Sequence, residues 1–117
     1  MTTVLVDARN VQRSQWPNVP DGELVERARA WADRHDAELV LVFDGKAPSA
    51  GVGTKQLDER MTVVGTGGES ADDWLIREAP VYPGAWLVTS DRALREAAGK
   101  SAGKLVGGGA FLRGLDE

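Results

Sequence analysis

Four aspartates stand where their carboxylates could share one site. Apolar runs stop abruptly at Asp7, Asp44 and Asp91, and Asp72 falls in the first turn of a predicted helix. Carboxylates held about 4 Å apart at an effective dielectric near 20 repel by roughly 4 kcal/mol per pair, so an opposing charge is required. With one histidine and no cysteine in the chain, a hard divalent cation held by oxygen ligands is the natural candidate. Such a site can activate water and stabilise charge on a phosphoryl group.

The same carboxylates also have a structural explanation. Aspartate is a common N-cap, and acidic residues in a first helical turn favour the helix dipole. This explanation suffices for Asp91, which precedes a predicted helix, and for Asp72. It does not explain why Asp7 and Asp44 end apolar strands, so the shared metal site is the favoured interpretation.

The apolar runs that end at these aspartates predict buried parallel strands. The runs cover residues 3–7, 39–43 and 85–89, and they are short, continuous and rich in β-branched residues. Such runs are typical of strands buried on both faces. Because parallel strands place their carboxyl ends on one edge of the sheet, where ligands bind in open α/β sheets, three of the aspartates are expected at the functional edge.

Helical patterns and turns separate these strands. The remaining predicted elements are helices over 22–35, 71–79 and 92–98, a candidate edge strand over 60–64, a short strand over 104–106, a short terminal helix, and loops over 11–20 and 45–55. Ser70 and Asp73 resemble a capping box at the start of the helix over 71–79. The alternation of strands and helices predicts an α/β sandwich.

Length and composition fit a single domain over residues 1–117. The formal net charge of −4 disfavours a protein devoted to non-specific nucleic-acid binding, although a carboxylate metal site contributes negative charge of its own. The absence of cysteine fits a reducing compartment. No apolar run approaches the ~20 residues that span a bilayer, so a soluble cytoplasmic protein without membrane contact is expected.

Four segments resemble a known family in both order and spacing. They are residues 6–10 (VDARN), 42–44 (VFD), 69–72 (ESAD) and 88–92 (VTSDR). Together they are similar to the signatures of NYN domains of the PIN-like nuclease superfamily, and the YacP-like branch looks nearest. The resemblance extends over residues 4–112. Ala8 stands where many relatives carry glycine, which removes no ligand.

The resemblance implies an Mg²⁺- or Mn²⁺-dependent ribonuclease, most simply an endoribonuclease. The implied fold is a three-layer PIN-like sandwich with a mainly parallel central sheet of about four or five strands, in which the strands over 3–7 and 85–89 lie side by side. The implied partners are an RNA substrate and a ribosome or protein. The implied site has metal ligands Asp7, Asp72 and Asp91, a further acidic member Asp44, a hydrogen-bonding Asn10, and Thr89 or Ser90 orienting the last carboxylate.

Several basic and polar residues flank the expected site and are candidate phosphate contacts. They are Arg9, Arg13, Lys46, Lys55, Ser90, Arg92 and Arg95. Lys46 and Lys55 are favoured because their loop adjoins Asp44. Trp16 is interpreted as a packing plug in preference to a platform for a base.

Two other functions stay open. A short acidic chain without an obvious basic groove also suits a metal-dependent hydrolase of a nucleotide or small phosphate ester. A non-catalytic RNA- or protein-binding PIN-like module is the third possibility, although its usual mark, a broken acidic set, is absent. The sequence indicates neither the oligomeric state nor the RNA that is recognised.

Overall fold

A computed structural model describes residues 1–117 and contains one six-stranded sheet. The strands are β1 (Thr2–Asp7), β2 (Ala37–Phe43), β3 (Gly53–Gln56), β4 (Met61–Gly65), β5 (Trp86–Val88) and β6 (Lys104–Val106). The helices are α1 (Ala8–Arg13), α2 (Asp21–His35), α3 (Ala71–Glu78), α4 (Arg92–Ala98) and α5 (Gly108–Gly114). Short 3₁₀ turns follow α3 and α4.

The strand order places a topological switch point at the centre of the sheet. The order is β3-β4-β2-β1-β5-β6, with β3 antiparallel to β4 and all other pairs parallel. After β1 the chain forms β2, β3 and β4 on one side of β1, and it then crosses to β5 on the other side. The predicted pairing of the first strand with the strand near residues 85–89 is therefore confirmed. Clefts open at such switch points, beyond the carboxyl ends of the strands.

Side chains alternate between two apolar cores, one on each face of the sheet. Val4 and Val6 of β1 point into a core that includes residues of α1, α2 and α5. Leu5 points into a second core, which includes residues of α3 and α4. This alternation follows from the two-residue period of a strand. The result is the predicted three-layer α/β sandwich, with helices covering both faces of the sheet.

The prediction of a loop over residues 11–20 was wrong for residues 11–13, which are helical. The helix α1 begins directly after Asp7 and continues to Arg13, because it buries Val11 and Gln12 against the rest of the molecule. A helix of 6 residues is too short to show a helical period in the sequence. Residues 14–20 are irregular, as expected.

The predicted loop over 45–55 also ends in a strand, β3, so the sheet has six strands where four or five were expected. All four β3 residues are exposed. The strand is held in the sheet by its backbone pairing with β4. Without a buried face, the sequence shows no apolar alternation there. As a consequence β4, the candidate edge strand, lies one position inside the edge.

The four tryptophans occupy different environments. Trp31 is 8% exposed in the core, and Trp74 and Trp86 are half-buried against the two cores. Trp16 is 88% exposed, so its interpretation as a packing plug was wrong. His35 ends α2, as predicted, and its ring stacks on Trp31 with the ring centroids 4.6 Å apart. None of the helices combines the length and the apolar character needed to cross a bilayer.

Candidate active site

The four predicted aspartates line one cleft at the switch point of the sheet. This acidic cleft encloses about 410 Å³ and is bordered by Asp7, Arg9, Asn10, Arg13, Asp44, Ser70, Asp72 and Asp91, with no apolar residue among them. Asp7 ends β1, Asp44 follows β2, and Asp91 follows β5 by three residues. Their convergence therefore follows from three parallel strands that end at the same edge.

Asp7 is the most deeply placed of these carboxylates, at 4% exposure. The hydroxyl of Thr89, itself fully buried, donates a hydrogen bond to Asp7 Oδ2 over 3.1 Å. Burial is the main reason that the pKa of Asp7 is raised to about 6, and the negative charges of Asp72 and Asp44 raise it further. The Thr89 hydroxyl and the backbone amide of Asn10 act in the opposite direction. Asp7 therefore holds a proton unusually tightly for a carboxyl group.

Asp91 is tied to the same network from the far side of Thr89. The amide of Asp91 donates to Thr89 Oγ1 over 3.1 Å, so one hydroxyl bridges Asp7 and the loop that carries Asp91. Asp91 Oδ1 accepts the amide of Leu94 over 2.9 Å and so caps α4. Helix capping, the structural explanation for an aspartate at this position, thus accounts for one carboxylate oxygen of Asp91.

Asp44 and Asp72 meet at the beginning of α3. Asp44 Oδ1 accepts the backbone amide of Ala71 over 2.8 Å, and Ser70 caps the helix through the amide of Asp73 over 3.0 Å. Asp44 therefore accepts a backbone amide at the amino-terminal end of α3. The sequence did not indicate this role. The pKa of Asp72 is raised, first by burial and then by the charges of Asp91 and Asp44.

Two connections hold the rim of the acidic cleft in place. Asn10 Oδ1 accepts the amide of Ser90 over 2.9 Å, and Ser90 Oγ accepts the amide of Gly108 over 2.8 Å. These bonds join α1, the loop after β5 and the beginning of α5. Ser90 is exposed and does not border the cleft, and its backbone amide and hydroxyl support the rim.

The predicted substrate contacts separate into two groups. Arg9 borders the acidic cleft, whereas Lys46, Lys55, Ser90 and Arg92 do not. Lys55 donates to the carbonyl of Ser49 over 3.2 Å and lines a separate depression between α2 and β3. Their roles as substrate contacts stay predictions.

Arg13 and Ser70 border the acidic cleft although they were not among the favoured site residues. Arg13 lies four residues after Arg9 on α1, so the two side chains share one helical face. This spacing was visible in the sequence, but the segment was interpreted as a loop. Ser70 was identified only as a helix cap, which it is.

The donor set of the acidic cleft consists of carboxylate oxygens, the ligands that hard divalent cations prefer. As the side chains stand, no group of three or more histidine or acidic residues is arranged to hold a metal ion. The carboxylates of Asp7, Asp44 and Asp91 each accept a hydrogen bond within the protein, whereas that of Asp72 accepts none. The chemistry of the donors therefore fits Mg²⁺ or Mn²⁺, and the side chains would have to adjust around the ion.

No protein-family model matches the sequence, and no curated protein matches it either. The fold does resemble solved structures. The crystal structure of a mutant of Rae1 (YacP) from Bacillus subtilis matches with a TM-score of 0.74 at 20% identity, covering 99% of this chain and 76% of that one. The crystal structure of Rae1 (YacP) itself matches with a TM-score of 0.71 at 21% identity, covering 99% and 74%. At this level of identity the likeness establishes a YacP-like fold.

Proposed function

We propose that this protein is an Mg²⁺- or Mn²⁺-dependent ribonuclease that hydrolyses phosphodiester bonds in the acidic cleft. The observation that carries the proposal is the convergence of Asp7, Asp44 and Asp91, from the ends of three parallel strands, with Asp72 in a cleft that no apolar residue borders. The YacP-like fold and the resemblance of the four sequence segments to NYN domains support the same activity. Those segments supply Asp7, Asn10, Asp44, Asp72 and Asp91.

Asp7, Asp72 and Asp91 are the residues that would hold the metal ion. Burial and neighbouring negative charge raise the pKa of both Asp7 and Asp72, and a cation in the cleft would offset both effects. A bound Mg²⁺ or Mn²⁺ lowers the pKa of a coordinated water and neutralises charge on a phosphoryl group. Asp44 fixes the amide of Ala71, which adjoins Asp72, so we assign it the positioning of Asp72.

The remaining residues of the cleft would bind and orient the substrate. Arg9 donates to Asp21 over 2.6 Å, and its guanidinium lies 5.2 Å from the centre of the Phe43 ring. Its charge is therefore partly committed within the protein. Arg13 is exposed and takes part in none of the ion pairs, so it is the cation best placed to meet a phosphate. Thr89 holds Asp7 in the orientation that faces the cleft.

Cleavage of an end-labelled RNA in the presence of Mn²⁺ tests the proposal. Asp7→Asn and Asp91→Asn are each expected to slow cleavage at least ~100-fold, the scale reported for removing one catalytic electrostatic contact, while circular dichroism shows a folded chain. The matched control is Asp36→Asn. Asp36 directly precedes β2, at the opposite edge of the sheet, and its side chain is 73% exposed.

Two results would overturn the assignment. One is full activity in a folded Asp7→Asn or Asp91→Asn protein. The other is hydrolysis of nucleotides or small phosphate esters while every oligonucleotide stays intact, which would replace the ribonuclease with the second enzyme considered from the sequence. Product analysis on both kinds of substrate separates these activities.

A further inference from the structure

Trp16, in the loop between α1 and α2, presents its indole to solvent. At 88% exposure it is the most exposed large apolar side chain of the molecule. The aromatic contacts of the core involve Trp31 with His35, Trp86 and Phe111, and Trp16 takes part in none of them. A tryptophan this exposed buries little area on folding, and exposed aromatic side chains are typical of binding surfaces.

The loop that carries Trp16 is closed at its base. The amide of Val19 donates to the carbonyl of Gln12 over 3.2 Å, and Gln12 Nε2 donates to the carbonyl of Val19 over 3.0 Å. Val19 is 2% exposed and so anchors the return of the chain. Ser14 Oγ also donates to the carbonyl of Val11 over 2.6 Å. These hydrogen bonds fix the loop that carries the indole, which lowers the entropic cost of binding a ligand.

The Trp16 loop adjoins the acidic cleft. Arg13 borders the cleft and precedes Trp16 by three residues, which is at most about 11 Å of chain. A neighbouring depression of about 300 Å³ is lined by Arg9 and Arg13 together with residues 18–21 of the same loop. Since Arg9 and Arg13 border both spaces, one polar surface leads from the carboxylates to the loop.

On this surface Arg13 is the cation best suited to bind a phosphate of an RNA backbone. Asp21 neutralises Arg9 over 2.6 Å. Arg13 borders the acidic cleft, precedes Trp16 by three residues and forms no ion pair. Because the whole chain carries a net charge of −4, attraction of phosphate has to be local. Arg13 supplies it three residues from the exposed Trp16, and a positive charge combined with a nearby aromatic side chain is what binds single strands.

We propose that Trp16 is a stacking platform for a base of single-stranded RNA, with a phosphate of the same strand at Arg13 and the scissile bond in the acidic cleft. This inference rests on the proposed ribonuclease function and specifies its substrate class. In a duplex the faces of the bases are covered by their neighbours, so only an unpaired base can stack on Trp16. Trp16 thereby selects single strands over duplexes.

Binding is measured by fluorescence anisotropy with an end-labelled single-stranded RNA of about 12 nucleotides. Ca²⁺ replaces Mg²⁺ or Mn²⁺ to supply a cation for the carboxylates. We expect Trp16→Ala to weaken binding roughly 5- to 100-fold, the range that corresponds to one stacked base, and Trp16→Phe to weaken it about 3-fold or less. The control is Val81→Ala, which trims another exposed apolar side chain, 65% exposed and close to the start of β5, and it should bind like wild type.

A double-mutant cycle with the RNA separates stacking from a general loss of affinity. Removing bases one at a time from the oligonucleotide should reveal a position where base loss weakens binding by wild type but has little effect on binding by Trp16→Ala. Binding of the same sequence as a duplex should not depend on Trp16. Coupling at one position, together with this indifference of the duplex, supports the proposal.

The result that overturns the inference is Trp16→Ala binding single-stranded RNA as tightly as wild type, or additive effects at every position. The inference is also overturned if Trp16→Ala loses the same factor in affinity for single-stranded RNA and for duplex RNA. If wild type cleaves RNA in Mn²⁺ while one of these results is obtained, only the stacking role fails. If wild type neither binds nor cleaves any RNA, the proposed function fails together with it.

Discussion

Asp7 shows how the site conflicts with the stability of the fold at the level of a single residue. A carboxylate at 4% exposure with one side-chain hydrogen bond from Thr89 is costly to ionise. The cost appears as a pKa of about 6. Buried groups with strongly perturbed pKa values mark functional sites more often than structural ones. The sequence predicted the position of this carboxylate, but its protonation depends on burial and on Thr89, which only the fold specifies.

We expect the metal-free protein to lose stability as pH rises through the pKa of Asp7. The pKa lies near 3.9 in an unfolded chain and near 6 in the folded one, so between these values the folded state binds more protons. Its favourable contribution is complete below pH ~4 and lost above pH ~6. Relative to Asp7→Asn, the wild-type free energy of unfolding should therefore fall by roughly 1–3 kcal/mol from pH 4 to pH 7.5.

Urea unfolding of both proteins in a chelator, at several pH values across this range, gives the difference directly. Subtracting the Asp7→Asn curve removes the titration of the shared groups that do not interact with Asp7, and what remains is the titration of Asp7 with its coupling to Asp72 and Asp44. A difference that stays level, or that grows in favour of wild type with rising pH, would contradict the assignment of the raised pKa to Asp7.

At the scale of elements, most of the parts that the sequence predicted bury an apolar face, and the short, largely exposed strand β6 is the exception. The helices over 71–78 and 92–98 and the strands that carry Asp7, Asp44 and Asp91 were all found close to their expected bounds. The elements that were missed are α1, which is too short to show a period, and β3, which has no buried face. Missing α1 also hid the shared face of Arg9 and Arg13. Local pattern thus predicted the carboxylates of the site better than its cationic rim.

The beginning of α5 supports the acidic cleft through close packing that no sequence pattern indicates. Gly108 is buried, and a Cβ atom there would lie 2.3 Å from Asn10 Oδ1 and 3.2 Å from the Asn10 carbonyl oxygen. Asn10 Oδ1 is the acceptor for the amide of Ser90. Any side chain at Gly108 must therefore displace the group that joins α1 to the loop after β5.

We expect Gly108→Ala to lower the free energy of unfolding by roughly 1–3 kcal/mol, as overpacking does, and to slow RNA cleavage about 10-fold or more by moving supporting residues of the site. The matched control is Gly114→Ala in the same helix, where a Cβ atom meets nothing within 4 Å. That control should keep its activity and gain up to about 1 kcal/mol from helix propensity. Urea unfolding and cleavage of labelled RNA measure both effects, and identical behaviour of the two variants would rule out the packing role of Gly108.

For the whole molecule, the position of the site follows from topology. The chain leaves β1 in one direction for β2 and β4 and returns on its other side for β5, and this reversal opens the edge at which Asp7 and Asp91 meet. Two separate cores hold the sheet rigid beneath that edge. The α/β pattern predicted the sandwich, and the NYN resemblance predicted the neighbouring strands. The fold offsets the mutual repulsion of the carboxylates only in part, because the pKa values of Asp7 and Asp72 stay raised although Thr89, the Asn10 amide and Arg13 act to lower them.

A bound divalent cation should therefore stabilise the entire fold. If Mn²⁺ binds only the native state, it adds RT ln(1 + [Mn²⁺]/Kd) to the free energy of unfolding, or about 2.7 kcal/mol at a hundred times Kd. For a chain of 117 residues each kcal/mol raises Tm by roughly 3–6 °C. Calorimetric melting at pH 7.5 over a series of Mn²⁺ concentrations should show this rise for wild type and for Asp36→Asn. It should be absent for Asp7→Asn, because that variant lacks both the charge and one ligand oxygen. An equal rise in Asp7→Asn would place the ion elsewhere on the surface and leave the acidic cleft without its metal.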